Sequence, residues 1–392
     1  MTIAARASQA AEGRFRTLIV GAGIAGLTLA ALLDHFEVGA AIVERNAASR
    51  CRGYNLGLYP VGSRVLHGLG LYREFVETST PLGIYQLWNG VGQQMQQADL
   101  AALFDRYGPI CGLRRAELID LLASRVAADR MIFEATVTDI DAADGAASVT
   151  FSDGSVGDFD LVVGADGINS RVRELILPEG AIHAFDTGWA CLVSPAPAEL
   201  LPAETVREYW GAGFMIGLYP YLDGIGVVLA GPAASLAAAG RHHFTAALRT
   251  HLREPVASTV LDIVERDPDP FLWPLRDVRA DQWVAGRTVL LGDAADAFLP
   301  TAGVGASMAM LSAAALADEL SRSDAAYLPA ALRLYQRRQQ PKVIAAQQNS
   351  RKLAQLMMVK SPVMAWGREQ LMHFYGPDRA LADIIKVMDG IV

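Results

Sequence analysis

Apolar residues fall into three kinds of pattern along the chain. Short continuous runs, TLIV at 17–20, LVV at 161–163 and TVLL at 288–291, are too brief for surface helices. They suit strands buried on both faces of a parallel sheet. Helical spacing predicts elements over 24–34, over 113–127 with Leu118, Leu121, Leu122 and Val126 inward, from about 305 to 320, and over 328–358 with a break near Pro341. Alternation marks a hairpin over 82–97 around NGVG, with a half-exposed Gln-rich second arm. It also marks strands at 132–140 and 147–151, with turns through Asp144-Gly145 and Asp153-Gly154. Consecutive aromatic-rich, hairpin-like strands fill 182–230, and two helices follow over 241–265. The order predicts an α/β chain: a parallel sheet interrupted by an inserted, mostly antiparallel sheet and finished by C-terminal helices.

Composition narrows the class. With 392 residues, 52% hydrophobic and 19% charged, the chain can bury two domains, or one large domain with an inserted sheet. A net charge of -8, without a basic run interleaved with aromatics, argues against nucleic acid as partner. Cys51, Cys111 and Cys191 are scattered and read as reduced core thiols. The pair His242-His243 lacks an acidic partner at ligand spacing and reads as surface, so no metal site is expected. No run reaches about 18 apolar residues, and 1–14 lacks the core of a signal peptide, so it reads as a flexible leader. A cytoplasmic monomer or homodimer is the corresponding expectation.

Chemistry concentrates at 17–45. The strand at 17–20 runs into G-A-G-I-A-G, with Gly21, Gly23 and Gly26 leading through Ile24 and Ala25 into a helix, and a second strand ends at Glu44-Arg45. Gly21 permits the tight turn, Gly23 lets backbone approach a pyrophosphate, and Gly26 lets helix pack on strand. The helix start offers N–H groups to phosphate, and Glu44, about 20 residues on, can accept from a ribose. This unit binds a dinucleotide, and by itself leaves NAD(P) and FAD open.

Other strand ends carry further candidates. Asp166, in DLVVGADGINSRVR, sits at the end of a buried strand beside Gly167, where open α/β sheets bind ligands. A helix-capping aspartate, alongside Asn169 or Ser170, is the plainer reading of Asp166. Arg114 and Arg115 stand at a helix start, unfavourable for a cation unless an anion holds them there. Arg52 is a candidate phosphate contact or a solvated side chain. Asp293 follows another buried strand, and the Gly303 and Gly305 backbone can approach a planar ligand at the next helix start. Trp189, Trp210, Phe214, Met215 and Tyr219 are candidate walls of a substrate chamber or simply core.

From about 17 to 350 the chain resembles the single-component FAD-dependent aromatic monooxygenases, the p-hydroxybenzoate hydroxylase-like family. GAGIAG with ER, RAELIDLL, GADGINSRVR and LLGDAADAFLPTAGVGA stand in that family's order and spacing. The resemblance implies a Rossmann-like FAD-binding domain over 15–180 and 276–325, a substrate domain over 181–275 with part of 80–110 contributing, and C-terminal helices over 326–392. It implies that Gly21, Gly23, Ile24, Ala25, Gly26, Glu44, Arg45 and Arg52 serve the ADP half of FAD. Arg115 would meet the phosphates and Asp293 the ribityl chain, with Val137, Asp166, Gly303, Val304, Gly305 and Ala306 completing the cofactor site. Substrate would meet Trp210, Phe214, Met215, Tyr219 and Pro300, with Tyr219 the candidate catalytic base.

The activity so implied is hydroxylation of an aromatic or polyketide-like small molecule with NADPH or NADH and dioxygen, through a flavin C4a-hydroperoxide. There is no second GxGxxG, so the nicotinamide would bind transiently. Histidine is usual in the family where Asp296 stands, and an acidic pair is frequent where Leu311 and Ser312 stand. An arginine often precedes the position of Tyr219 in relatives, whereas FMIGL stands here, which disfavours a carboxylate or phenolate anchored by it. A flavin-dependent halogenase is disfavoured because no lysine precedes Lys342 and no WxWxI occurs. A cyclase using FAD as scaffold, or a partner protein using Met357, Met358 and Met364 as an interface, are the other readings; core or dimer packing is the plainer role for those methionines.

Overall fold

The computed structural model describes residues 1–47, 54–141, 145–237 and 240–374. Arg52, Cys51 and Asp144 lie outside them.

The three apolar runs pair as parallel neighbours. Thr17–Val20 lies between Ala40–Glu44 and Leu161–Gly164, with Thr17 opposite both Ala40 and Leu161, and Thr288–Leu290 adds beyond Leu161–Gly164. Met131–Phe133 and the short antiparallel Val284–Ala285 complete a six-stranded sheet. These strands are buried on both faces, which is why their sequences are apolar without alternation. The helices Ile24–His35 and Gly305–Ser321 pack on one another, largely through Ala and Leu.

The second sheet has eight strands in the order Asp296–Ala297, Phe271–Ala280, Ile182–Ala196, Gly224–Pro232, Met215–Tyr221, Thr205–Trp210, Ile84–Asn89 and Gln94–Asp99. All neighbours are antiparallel except Thr205–Trp210 with Ile84–Asn89. The hairpin at 84–99 therefore extends this sheet, and Phe271–Ala280 runs across the boundary expected at 275. The helices Arg241–Arg249 and Pro255–Arg266 cover one face, burying Leu248, Val260, Leu261 and Val264 against Ile216, Leu218 and Leu229.

Four expectations are corrected. Residues 1–14 are not a loose leader: Ile3–Ala10 is a helix capped by Thr2, with Ala4, Ala7 and Ala11 in the core. The helix expected over 113–127 is shorter, Arg115–Ala123, because Cys111–Arg114 pairs as a strand with Asn55–Leu58. The strand expected over 132–140 divides at Glu134, whose φ is 56°. Leu328–Met357 is one helix with Pro341 inside it, since buried residues on both sides, Tyr335, Gln339, Val343 and Ala346, hold its face to the core. No helix among the described residues is long and apolar enough to cross a membrane.

Candidate functional site

The carboxyl ends of adjacent parallel strands deliver Gly21, Ala165 and Gly292 to one edge of the six-stranded sheet. There a cavity of about 410 Å³ opens between this sheet and the eight-stranded one. The glycines of the first turn have separable reasons to be glycine. Gly21 has φ 111°, and a Cβ on it would lie 2.4 Å from the Ala165 carbonyl oxygen. A Cβ on Gly26 would lie 2.1 Å from the Gly21 carbonyl oxygen, so the helix could not pack. A Cβ on Gly23 would meet nothing within 4 Å, because Gly23, with Ile24 and Ala25, borders the cavity. Glu44 accepts from Ala22 N–H at 3.0 Å and from Asn46 N–H at 2.8 Å, which ties the second strand's end to the glycine loop. Arg45 is exposed.

Arg115, at the start of the helix Arg115–Ala123, and Asp293, in the turn Gly292–Ala294, both line the cavity. Asp293 is open to the cavity but otherwise ringed by protein. That environment pushes its carboxyl up to about 6, with Arg115 and then Arg173 opposing the rise. Arg173 is buried and donates to the Ala294 carbonyl at 2.9 Å and the Ile168 carbonyl at 2.6 Å, so it clamps the loop after Gly164 to the loop carrying Asp293. Arg114 points elsewhere, into Glu117 at 3.1 Å and Asp223 at 2.6 Å. Those carboxylates resolve its unfavourable place at a helix start.

Asp166 is corrected in its role. Its carboxylate accepts from Ser170 Oγ, Arg171 N–H at 2.7 Å and Val172 N–H at 3.1 Å, which makes it a cap of the helix Arg171–Ile176. Its neighbours Ala165 and Gly167 border the cavity instead. Val137 is 1% exposed, in a strand facing Phe151, and does not reach the cavity.

On the opposite side, Pro300–Ala302 forms one turn that ends in Gly303 at φ 64°. Tyr59 fixes this loop: its hydroxyl donates to the Ala302 carbonyl at 3.0 Å, and its N–H donates to Ser307 Oγ at 2.9 Å. Gly303, Gly305 and Ala306 then border the cavity at the start of Gly305–Ser321, which no side chain caps. Val304 is turned into the core. The Ile24–His35 helix likewise has no side-chain cap. Two helix starts thus present backbone N–H groups and positive dipole ends to the same space. A planar anionic dinucleotide fits this edge: Gly23 and Gly305 leave it room, and Arg115 and Asp293 supply one cation and one acceptor.

Strand alternation selects the other wall. Trp189, Glu208, Trp210, Met215, Tyr219 and Trp273 face the cavity, and Pro300 closes it on the loop side. Phe214, expected in this wall, has the opposite parity: it is 1% exposed and packs in the core beneath the covering helices. Leu353, Met357, Met358 and Met372 cover the far end, so two of the three methionines considered as an interface are chamber lining. Cys191 also borders the cavity, and burial pushes its thiol up to about 12, which leaves it unreactive.

Glu208 is the residue that sequence reasoning missed. Its Oε1 accepts from Tyr219 Oη at 2.6 Å; its Oε2 accepts from Tyr85 Oη at 2.7 Å and Trp210 Nε1 at 2.8 Å. Burial holds the Glu208 carboxyl above its usual range, against the opposing pull of these three donors. Burial and the Glu208 charge lift the Tyr219 phenol well above its usual range. A phenol so placed is a poor base near neutral pH, which corrects the expectation that Tyr219 acts as one. The signal lay in VREYW: Val206, Glu208 and Trp210 share a face, and the acid interrupts it.

Comparisons with known proteins agree with this geometry. Residues 14–349 match the family described as FAD binding domain. The chain is 29% identical over 369 residues to 3-amino-4-hydroxybenzoate 2-monooxygenase of Streptomyces cremeus, covering 91% of each chain. It is 30% identical over 373 residues to aurachin C monooxygenase/isomerase of Stigmatella aurantiaca, covering 92% of this chain and 94% of that one. In fold it is similar to Klebsiella pneumoniae HpxO complexed with FAD and uric acid, with TM-score 0.84, 23% identity, and 95% and 96% of the two chains covered. Sequence, cavity and relatives converge, and the chain belongs to the FAD binding domain family as an FAD-dependent monooxygenase of the aromatic hydroxylase type.

Proposed function

We propose that this enzyme draws reducing equivalents from NADPH or NADH and places one atom of dioxygen on an aromatic or polyketide-like small molecule held in the chamber. One observation carries the reading: a single cavity joins the dinucleotide edge of the parallel sheet to an aromatic wall of the second sheet. Bound FAD supplies the redox and oxygen chemistry. Gly21 to Gly26 would take its ADP half, with Glu44 near the ribose. Arg115 would meet the pyrophosphate and Asp293 the ribityl hydroxyls. The start of Gly305–Ser321 would stabilise negative charge on the flavin ring.

The second sheet excludes water and orients substrate. Trp189, Trp210, Met215 and Trp273 give an apolar face against which a ring can stack. No lysine borders the cavity among the described residues, which supports oxygenation over halogenation. The test is to supply the FAD-loaded enzyme with NADPH or NADH, isotopically labelled dioxygen and a panel of aromatic and polyketide-like compounds, and to weigh the products. Substrate-stimulated nicotinamide oxidation with one labelled oxygen in the product is expected. A product formed without oxygen uptake or label would overturn the reading in favour of a non-redox use of FAD.

A further inference from the structure

We propose that Glu208 sets substrate choice: with Tyr219, Tyr85 and Trp210 it makes the chamber wall a hydrogen-bond acceptor that selects a ring bearing an O–H or N–H donor and rejects a carboxylate at that place. This rests on the reading of the cavity as a substrate chamber.

Donors and lone pairs decide what this wall can bind. A carboxylate offers about four acceptor sites and no donor. Tyr219 takes one site on Oε1, and Tyr85 and Trp210 take those on Oε2, which leaves Oε1 able to accept once more. Each phenol has a single proton, and both are directed at Glu208. The Tyr219 and Tyr85 oxygens therefore present only lone pairs to a ligand. The indole N–H of Trp210 is also engaged by Glu208. What these four side chains leave for a ligand is acceptors alone, and all four border the cavity.

Charge points the same way. Glu208 is 7% exposed and makes no ion pair among the described residues. The other charged residues of the cavity, Arg115 and Asp293, belong to the dinucleotide edge. A substrate carboxylate here would lose water and meet a like charge with no cation between them. A phenolic O–H, a ring N–H or an aromatic amine would instead complete the fourth site on Glu208. The flat faces of Trp210 and Trp189 then suit the ring that carries the donor.

The experiment uses the FAD-loaded enzyme and reads binding from the perturbation of the flavin absorption spectrum, which needs neither nicotinamide nor turnover. Matched mono-, bi- and tricyclic arenes carrying hydroxyl, amino, methoxy or carboxylate at one position are titrated. The hydroxyl or amino member of a matched set should bind roughly tenfold or more tightly than its methoxy and carboxylate partners. Glu208→Gln, nearly isosteric, should retain FAD and lose most of that preference, because its amide adds a donor to the wall. Three results would overturn the proposal: a methoxy or carboxylate ligand binding as well as its hydroxyl partner, no hydroxylated arene binding at all, or undiminished preference in FAD-loaded Glu208→Gln. Failure of oxygen insertion with the donor preference intact would sink the oxygenase reading and leave the recognition standing.

Discussion

The hydroxyl of Tyr219 lies 2.6 Å from Oε1 of Glu208, and the two residues face the chamber from neighbouring strands. A hydrogen bond to a buried carboxylate contributes about 1.5–3 kcal/mol. Tyr219→Phe should therefore lower the stability of the FAD-loaded enzyme by roughly that amount, because Glu208 loses one of its three donors. In a Glu208→Gln background the same substitution should cost about 1 kcal/mol less, since a neutral amide oxygen is a weaker acceptor. The four proteins of the cycle can be compared by denaturant midpoints. Strict additivity would mean that the contact carries no coupling.

Gly23 and Gly26 lie in one motif but should fail differently. Gly26→Ala places a Cβ 2.1 Å from backbone, where nothing flexible can yield, so apo-protein stability should fall by several kcal/mol or folding should fail. Gly23→Ala meets open space and has ordinary backbone geometry, so apo-protein melting should shift little. Its FAD affinity should nevertheless drop about tenfold or more, because the new methyl projects where the pyrophosphate would lie. Melting curves and flavin retention on a desalting column separate the two. Equal losses of stability in both variants would contradict this division of roles.

That contrast also explains what could be read in advance. The glycine turn was legible because its constraints are local: the φ of Gly21 and the contact between Gly26 and Gly21 arise within six residues. Glu208 was not, because its meaning depends on Tyr85, 123 residues away, and on which face of the sheet meets the cavity. Phe214 fell on the wrong wall for the same reason, a single step of strand parity. Pro341 misled because its local cost is outweighed by the buried face on either side of it. The N-terminal helix had a readable signal in Ala4, Ala7 and Ala11 at helical spacing, hidden by side chains too small to look like a core.

Asp293 should make FAD retention pH-dependent. The protein packed around it lifts its carboxyl to about 6 against the pull of Arg115 and Arg173. Ribityl hydroxyls donate best to the ionised form, so FAD binding should draw the proton off and hold the carboxyl lower than in the free protein. Affinity should then be constant above about pH 6 and fall as pH drops below it. Asp293→Asn should bind FAD more weakly at neutral pH and show a flatter profile from about pH 5 to 7. Fluorescence titration of released flavin across that range gives both curves. A wild-type profile as flat as that of the variant would remove Asp293 from the cofactor site.

Asp296, by its place in the core, gives a stability prediction of opposite sign. It is fully buried, its Oδ1 accepts from Ala280 N–H at 2.9 Å, and burial pushes the carboxyl up to about 6 despite that bond and the nearby Arg279. In the unfolded chain the group titrates near about 3.9. Between those values the folded protein binds the extra proton, so this residue's contribution makes stability fall as pH rises from about 4 to about 6, then level off. Asp296→Asn keeps the acceptor for Ala280 and removes the charge. It should be more stable than the parent by about 1–3 kcal/mol at pH 8 and lose that advantage near about pH 4. Denaturant midpoints of the two proteins at both pH values decide it, and an equal difference at both would show that the carboxyl is not titrating in the fold.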